Sequence, residues 1–425
     1  MESSSERLHA LDAVRAFALL AGVAFHALFP WLADAPNNNG GIPEAPSPVA
    51  AAIWYFLHMF RMPVFFLIAG YFARLLLERR GTKAFMKDRA KRIAVPLAVG
   101  AIVFPVATVV AFVLGSLVSG MSVADVLALW QTPSDQQAQT AEAAPGGFHF
   151  GPLWFLYYLL MFYAVAIALR ALISASDQSG KFQRGTDATV RFLMRTGLAA
   201  PVFGLPIAAY YVFKWPEWAA WTGLPTSASL VPDFPTFITF GLFFAIGFLL
   251  HRQNDILLQL RERWVPYSIA AITLAVTAYL IAGPTPRWAP YLSGAELQMY
   301  AAAYLLVTWC ASFAIIGLAL RFLSSPSPAR RYVSDASYWI YLAHITVVVF
   351  FLQWLHRFGW HWGIKYAITL AVSVPLLLLS YHLFVRRTFI GAIINGRRYP
   401  RTAVPKGAKV SGAFTGRARA IMSRT

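Results

Sequence analysis

Ten apolar runs recur along the chain, near residues 11 to 32, 50 to 76, 93 to 119, 152 to 173, 197 to 213, 235 to 251, 265 to 282, 297 to 322, 336 to 356 and 363 to 385. A helix of roughly 20 residues crosses about 30 Å of hydrocarbon. The pattern therefore predicts an all-α, polytopic integral membrane protein with about ten transmembrane helices. The run at 197 to 213 is short and proline-flanked, the weakest of the set.

The connections between the runs alternate in charge. Residues 34 to 49 and 120 to 150 hold no Lys or Arg, whereas 74 to 92 hold Arg74, Arg79, Arg80, Lys83, Lys87, Arg89, Lys91 and Arg92. The same contrast separates 214 to 234 (Lys214 alone) and 283 to 296 (Arg287 alone) from 170 to 195, 252 to 263 and 321 to 331, which carry three to five basic residues each. Cytoplasmic loops collect Lys and Arg, so every second loop is assigned to the cytoplasm, with both termini on that side. The segments at 34 to 41 and 131 to 139 are polar, rich in turn formers and read as flexible external loops. Residues 1–392 form the membrane domain. Residues 393–425, basic and rich in Gly and Ala, read as a disordered cytoplasmic tail held to anionic lipid by charge.

Composition agrees with this picture. Of 425 residues, 58% are hydrophobic and only 13% charged, against about 25% charged in soluble domains, and mean hydropathy is +0.56. The net charge of +18 would suit nucleic acid, but its confinement to alternate loops marks topology, not a nucleic-acid partner. The single cysteine, Cys310, excludes an intramolecular disulfide and reads as inert packing. The N-terminal stretch lacks a clean basic start, with Arg7 and Arg15 offset by Glu2, Glu6 and Asp12. Although Ala33-Asp34-Ala35 resembles a cleavage site, the first run is read as a retained span.

Candidate chemistry comes from polar residues inside the runs, where an ionisable side chain costs about 2.5–3.5 kcal/mol at mid-depth and marks a substrate path. In a helix, Arg15 and His26 lie within about 20° of one face and roughly 16 Å apart along the axis, so both are expected to face the same neighbours. His58 and Arg61 share a face of the second run at about the depth of His26. No Asp or Glu lies near mid-depth to pair with Arg61, which favours an anion-binding role. Arg89 and Arg92 precede the third run, either as anchors or as the mouth of a site for a polyanionic donor. His149 and Trp154 open the fourth run, where Trp154 serves as an interfacial anchor or, with His149, as an external sugar platform. Tyr341 and His344 share a face of the ninth run, with Ser337 one turn earlier. His356, His361 and His382 lie at run ends, where exposure explains them. There is no Gly-x-Ser-x-Gly elbow, paired cysteine, His-Glu-x-x-His or Gly-x-x-x-x-Gly-Lys. Metal catalysis, nucleotide hydrolysis by a P-loop and a serine triad are unsupported.

Arg15 with His26 eleven residues on, Arg89-x-x-Arg92 before the third run, and Ser337-Tyr-x-x-Tyr341-Leu-x-His344 in the ninth together resemble the acyltransferase 3 family of membrane acyltransferases. The stretches at 14 to 26, 56 to 72 and 153 to 156 are most similar to its branch that succinylates osmoregulated periplasmic glucans in Gram-negative bacteria. The likeness runs from residue 8 to about 390. It implies a multi-pass protein of the bacterial inner membrane, with no permanently bound cofactor. The donor would be a cytoplasmic acyl-CoA, succinyl-CoA or acetyl-CoA, and the acceptor a hydroxyl of a periplasmic glucan. By position, His26 and Arg15 match the family's essential pair, Arg89 and Arg92 its Arg-x-x-Arg, and His344 its late histidine. The family's late acidic residue has no mid-run match here, since Asp335 and Glu296 lie at run ends.

Moving an acyl group from a thioester to an alcohol requires a base, donors for the developing oxyanion and an anion site for the phosphates of coenzyme A. His26 suits the first task. Arg15 would hold the donor's phosphate or pantetheine end, and Arg61 with His58 would bind a succinyl carboxylate or steady the oxyanion. A covalent acyl-histidine step stays open. The alternatives are an acetyltransferase for another surface glycan, and a polysaccharide transporter or flippase that performs no bond chemistry.

Overall fold

The structure, a computed structural model, describes residues 4–35, 44–131 and 149–396. The chain opens with α1 (Ser4–His26), ends that helix at His26 and continues into a 3₁₀ turn at Phe29–Trp31. Helix α2 (Pro48–Arg89) begins at Ser47, whose hydroxyl accepts from the Ala50 amide at 3.3 Å, with proline in the first turn where its missing donor costs nothing. It bends at Gly81, where a φ of 74° suits glycine alone. A π-helical turn, Ala90–Ala94, leads directly into α3 (Val95–Val118). Then follow α4 (Val123–Gln131), α5 (Trp154–Ser176), α6 (Lys181–Thr196), α7 (Ala199–Lys214), α8 (Phe234–Leu250) and α9 (Asn254–Glu262). The last elements are α10 (Trp264–Ala282), α11 (Gly294–Phe322), α12 (Pro328–His356), α13 (Trp362–Ser380), a π-helical turn at Tyr381–Val385 and α14 (Phe389–Ile394).

Among the described residues the protein is all-helical, apart from one isolated bridge between His149 and Ser229. All ten apolar runs are mainly helical, with turns at residues 27 to 28 and 197 to 198. Among the described residues, seven helical stretches are long and apolar enough to cross a membrane, or up to nine if each of two bent helix pairs forms one span. The runs at 50 to 76 and 93 to 119 share one of these stretches, because the connection at 74 to 92 is not a loop but helix continued through the Gly81 bend and the π turn. The basic connections at 170 to 195 and 252 to 263 are likewise largely helical, occupied by α6 and α9. The polar segments at 34 to 41 and 131 to 139 lie almost entirely outside the described residues, as does the tail from 397 onward. Helix α14 crosses the boundary drawn at 392, and Asn395 packs back onto the bundle by donating to the Tyr381 hydroxyl at 2.9 Å.

Packing places α1 at the centre, against α2, α11 and α12. Helices α2 and α8 cross so closely that a Cβ on Gly70 would lie 2.0 Å from the Phe244 carbonyl oxygen, and one on Gly247 would lie 1.8 Å from that of Leu67. Two glycines thus let two backbones touch, the small-residue crossing common in membrane bundles. Ile102, Ile272 and Leu280 are at least 65% exposed. Such aliphatic surface belongs against lipid, not water.

A candidate active site in two chambers

The polar residues of the apolar runs gather in two cavities stacked along one face of α1. Asp12, Arg15, Leu19, Gly22 and His26 follow each other at helical spacing down that face. Arg15 lines a vestibule of about 440 Å³ at the basic end of the bundle, and His26 lines a chamber of about 820 Å³ toward the other end. Leu19, Phe65 and Phe155 line both cavities, so these three side chains form the partition between them. Arg15 and His26 therefore share a helix face but not neighbours: eleven residues of rise place them on opposite sides of an apolar partition.

In the chamber, His26 sits in the last turn of α1, close to the negative end of the helix dipole. Its ring lies edge-on to Phe25, with centroids 5.0 Å apart, and 5.2 Å from the ring of His344. His344 is 1% exposed, and its Nδ1 lies 2.7 Å from the Tyr341 carbonyl oxygen. A carbonyl only accepts, so this contact places the proton on Nδ1 and leaves Nε2 as the lone-pair nitrogen. That Nε2 is enclosed and has no hydrogen-bond partner among the described residues.

In the rest of the Ser-Tyr-x-x-Tyr-Leu-x-His motif the serine bonds within α12, and the two tyrosines fasten the helix to its surroundings. Ser337 donates to the Ser334 carbonyl at 2.9 Å, Tyr338 to the Arg92 carbonyl at 2.8 Å and Tyr341 to the Pro152 carbonyl at 2.6 Å.

His58 and Arg61 reach the same chamber from α2. Arg61 is 8% exposed, and its guanidinium carbon stands 4.0 Å over the Phe25 ring. It makes no ion pair among the described residues, and its buried Nε has no partner. A buried guanidinium left uncompensated is costly, and here it borders space large enough for a ligand.

His149 lines the chamber and is exposed. Trp154 also lines it, but at 9% exposure it packs on Phe66, Tyr158 and Phe240, so it is wall rather than an outer platform or a lipid anchor.

The vestibule brings together Arg15, Arg80, Arg89, Arg92 and Arg331. Asp88 ion-pairs with three of them: Arg80 at 3.1 Å, Arg92 at 3.2 Å and Arg89. Arg92 also donates to the Asn395 carbonyl at 2.8 Å. Arg15 pairs with Asp12 at 3.1 Å and donates to the Ser334 hydroxyl at 3.0 Å. Asp335 lines the vestibule and lies 3.6 Å from Arg331. Five arginines thus face three aspartates, an excess of positive charge suited to phosphate groups.

Several contributors carry no obvious local signal. The connection at 214 to 234, expected to be a simple loop, folds over the chamber: Thr222, Leu224, Thr226 and Ala228 line it, and the Ala228 carbonyl accepts from the Phe150 amide at 2.8 Å. Trp54 stacks on Trp221 from this segment, with centroids 5.3 Å apart, and meets Trp288 at 5.8 Å. The indole nitrogen of Trp54 is buried without a partner among the described residues. Three tryptophans at 215, 218 and 221 were the available hint, because a solvated loop rarely spends that much aromatic surface.

A second group without a local sequence signal ties the segment before α2 to α13. Lys365, 4% exposed in the first turn of α13, lies 2.8 Å from both carboxylate oxygens of Glu44. The Trp31 indole donates to Glu44 at 3.1 Å, and His356, not simply an exposed run-end residue, approaches it at 3.4 Å. Burial pushes the Glu44 carboxyl up, but His356, Lys365 and Trp31 outweigh it and hold the group below its ordinary value. A carboxylate depressed on folding stabilises above its unfolded pKa, near 4.3, and loses that contribution as pH falls through the depressed value. Glu44→Gln is expected to cost about 3 kcal/mol at pH 7 by stranding the Lys365 charge. Melting curves in detergent should show the gap to the parent protein closing between pH 5 and pH 3.

Comparison with known proteins assigns the family. A family model described as an acyltransferase domain, that of acyltransferase 3, matches residues 8–382. Glucans biosynthesis protein C from Salmonella paratyphi B and from Salmonella choleraesuis are each 24% identical over 389 residues, covering 89% of this chain and 92% of theirs. The protein of that name from Salmonella gallinarum is equally similar. No solved structure gives a significant match. With the family model spanning nearly the whole helical bundle, the chain belongs to the acyltransferase 3 family of membrane acyltransferases.

Proposed function

We propose that the protein is an inner-membrane O-acyltransferase that moves a succinyl group from cytoplasmic succinyl-CoA to hydroxyls of a periplasmic glucan. The observation that carries this reading is the pair of chambers on one face of α1, a cationic one at the basic end and an aromatic, histidine-lined one beyond a partition of Leu19, Phe65 and Phe155. Under the positive-inside rule the vestibule faces the cytoplasm, where acyl-CoA is found, and the chamber faces the periplasm. The glucan acceptor is supported by the name of the Salmonella relatives and by the tryptophan-rich chamber wall, since sugar rings stack on indoles.

In this reading the arginines of the vestibule, Arg15, Arg89 and Arg92 among them, hold the phosphates of coenzyme A. The pantetheine arm passes the partition and presents the thioester carbonyl in the chamber. His26 takes the proton of a sugar hydroxyl as its oxygen attacks the carbonyl carbon. The bare Nε2 of His344 accepts a hydrogen bond from the acceptor sugar. The tetrahedral oxyanion collapses, the carbon–sulfur bond breaks, and the thiolate leaves with the proton that His26 took. Arg61, with His58 beside it, pairs with the succinyl carboxylate, the anion its buried charge lacks.

The direct test supplies purified protein with glucan and either succinyl-CoA or acetyl-CoA, then measures free thiol and the mass of the glucan. Succinylated glucan with matching thiol release is expected. Acetylation alone would replace the donor, and glucan movement across a membrane without thiol release would make the protein a carrier instead.

A further inference from the structure

A third cavity, about 530 Å³, lies on the flank of the bundle and shares no lining residue with either chamber. Helices α5, α6 and α8 form it, with Arg74 contributed by α2. Along α8 it runs from Phe237 to Leu249, twelve residues or about 18 Å of helix. Its walls are apolar, with Phe162, Leu169, Ile173, Phe182, Leu242 and Phe248 among them. Leu169 and Phe182 are 51% and 60% exposed, so the trough is open to the lipid side and not sealed in the core.

The polar end of this trough carries three arginines, and their partners leave one charge over. Arg74 is bound by Glu78, and Arg252 lies 2.7 Å from Asp187 and 3.2 Å from the Gln183 side-chain oxygen. Arg170 makes no ion pair among the described residues, and its Nη1 is shut off from solvent with no hydrogen-bond partner. An enclosed guanidinium nitrogen with nothing to donate to is an unfilled anion position. Helix α6 borders this end. It turns by 101° from α7 and sets Lys181, Arg184, Arg191 and Arg195 against Phe182, Val190 and Met194, the pattern of a helix lying in a membrane interface.

One surplus cation at the interfacial end of a long apolar trough complements one kind of molecule: a single-charged phosphodiester joined to acyl chains. We propose that this groove is a binding site for an anionic glycerophospholipid, with its phosphate on Arg170 between Arg74 and Arg252 and one acyl chain along α8. The lipid would join α6 to α5 and α8, filling the trough between them.

Delipidated protein is titrated with phosphatidylglycerol, phosphatidylcholine or inorganic phosphate, and bound lipid is counted by native mass spectrometry. Phosphatidylglycerol should bind at least fivefold more tightly than phosphatidylcholine. Arg170→Gln should erase that preference, Arg170→Lys should keep most of it, and Arg184→Gln, outside the groove, should leave it intact. Ala245→Trp, which fills the trough, should weaken both lipids. Equal retention of the two lipids, unchanged preference in Arg170→Gln, displacement of phosphatidylglycerol by inorganic phosphate, or undiminished binding in Ala245→Trp would each overturn the proposal.

Discussion

Replacing His26 with alanine is expected to lower acyl transfer to glucan by about 10²- to 10⁴-fold, the usual contribution of a positioned general base. The side chain lines a cavity already large enough for substrate, and its ring contacts there are with Phe25, Phe29 and His344, which pack on other neighbours as well. Folding should therefore survive, and size-exclusion profile and melting temperature should stay close to those of the parent. His344→Phe keeps an aromatic ring beside Tyr341 while removing Nε2, and it should lose activity through a raised KM for the acceptor if that nitrogen binds the sugar. Normal glucan acylation by folded His26→Ala protein would remove His26 from the reaction.

The second large effect concerns Arg61, where stability and activity are expected to move apart. A structural guanidinium at 8% exposure would need a carboxylate, and none lies within 4.0 Å among the described residues. Arg61→Met keeps the length and the packing on Phe25 while discarding an uncompensated charge. Replacements of this kind are often neutral or stabilising, so the melting temperature should hold or rise. Succinyl transfer should fall on the order of 100-fold, the worth of a charge-assisted hydrogen bond of about 1.5–3 kcal/mol. Acetyl transfer, whose donor has no distal carboxylate, should fall much less. Equal losses for both donors would move Arg61 from the succinyl carboxylate to the oxyanion. A collapse in stability would make its role structural.

What the sequence made legible follows from what local pattern can encode. Apolar runs of membrane length became helices because no other open structure satisfies the backbone inside lipid. The spacing of Arg15 and His26 placed them on one face, which the helix keeps. Spacing along one helix does not reveal what stands opposite, however. Leu19 meets Phe65 and Phe155 from two other helices, and that meeting separates Arg15 from His26 into two cavities. Nothing in the spacing of the 74 to 92 segment singles out Asp88, yet three arginines converge on it. The Glu44–Lys365 pair joins residues 321 positions apart, and the cap formed by the 214 to 234 segment meets the start of the fourth run through a bridge from Ser229 to His149. In each case the missing information was which elements become neighbours, and a single sequence read by period does not carry it.

The family assignment rests on nearly the whole bundle, while donor, acceptor and direction are part of the proposal. Those three are tested together by vectorial transfer in sealed proteoliposomes of uniform orientation. Succinyl-CoA is supplied only on the side bearing Arg89 and Arg92, and glucan only on the side bearing His149. Succinylated glucan should appear on the His149 side, with free thiol released on the arginine side in equal amount. Transfer only when donor and glucan share one compartment would contradict a route through the partition of Leu19, Phe65 and Phe155.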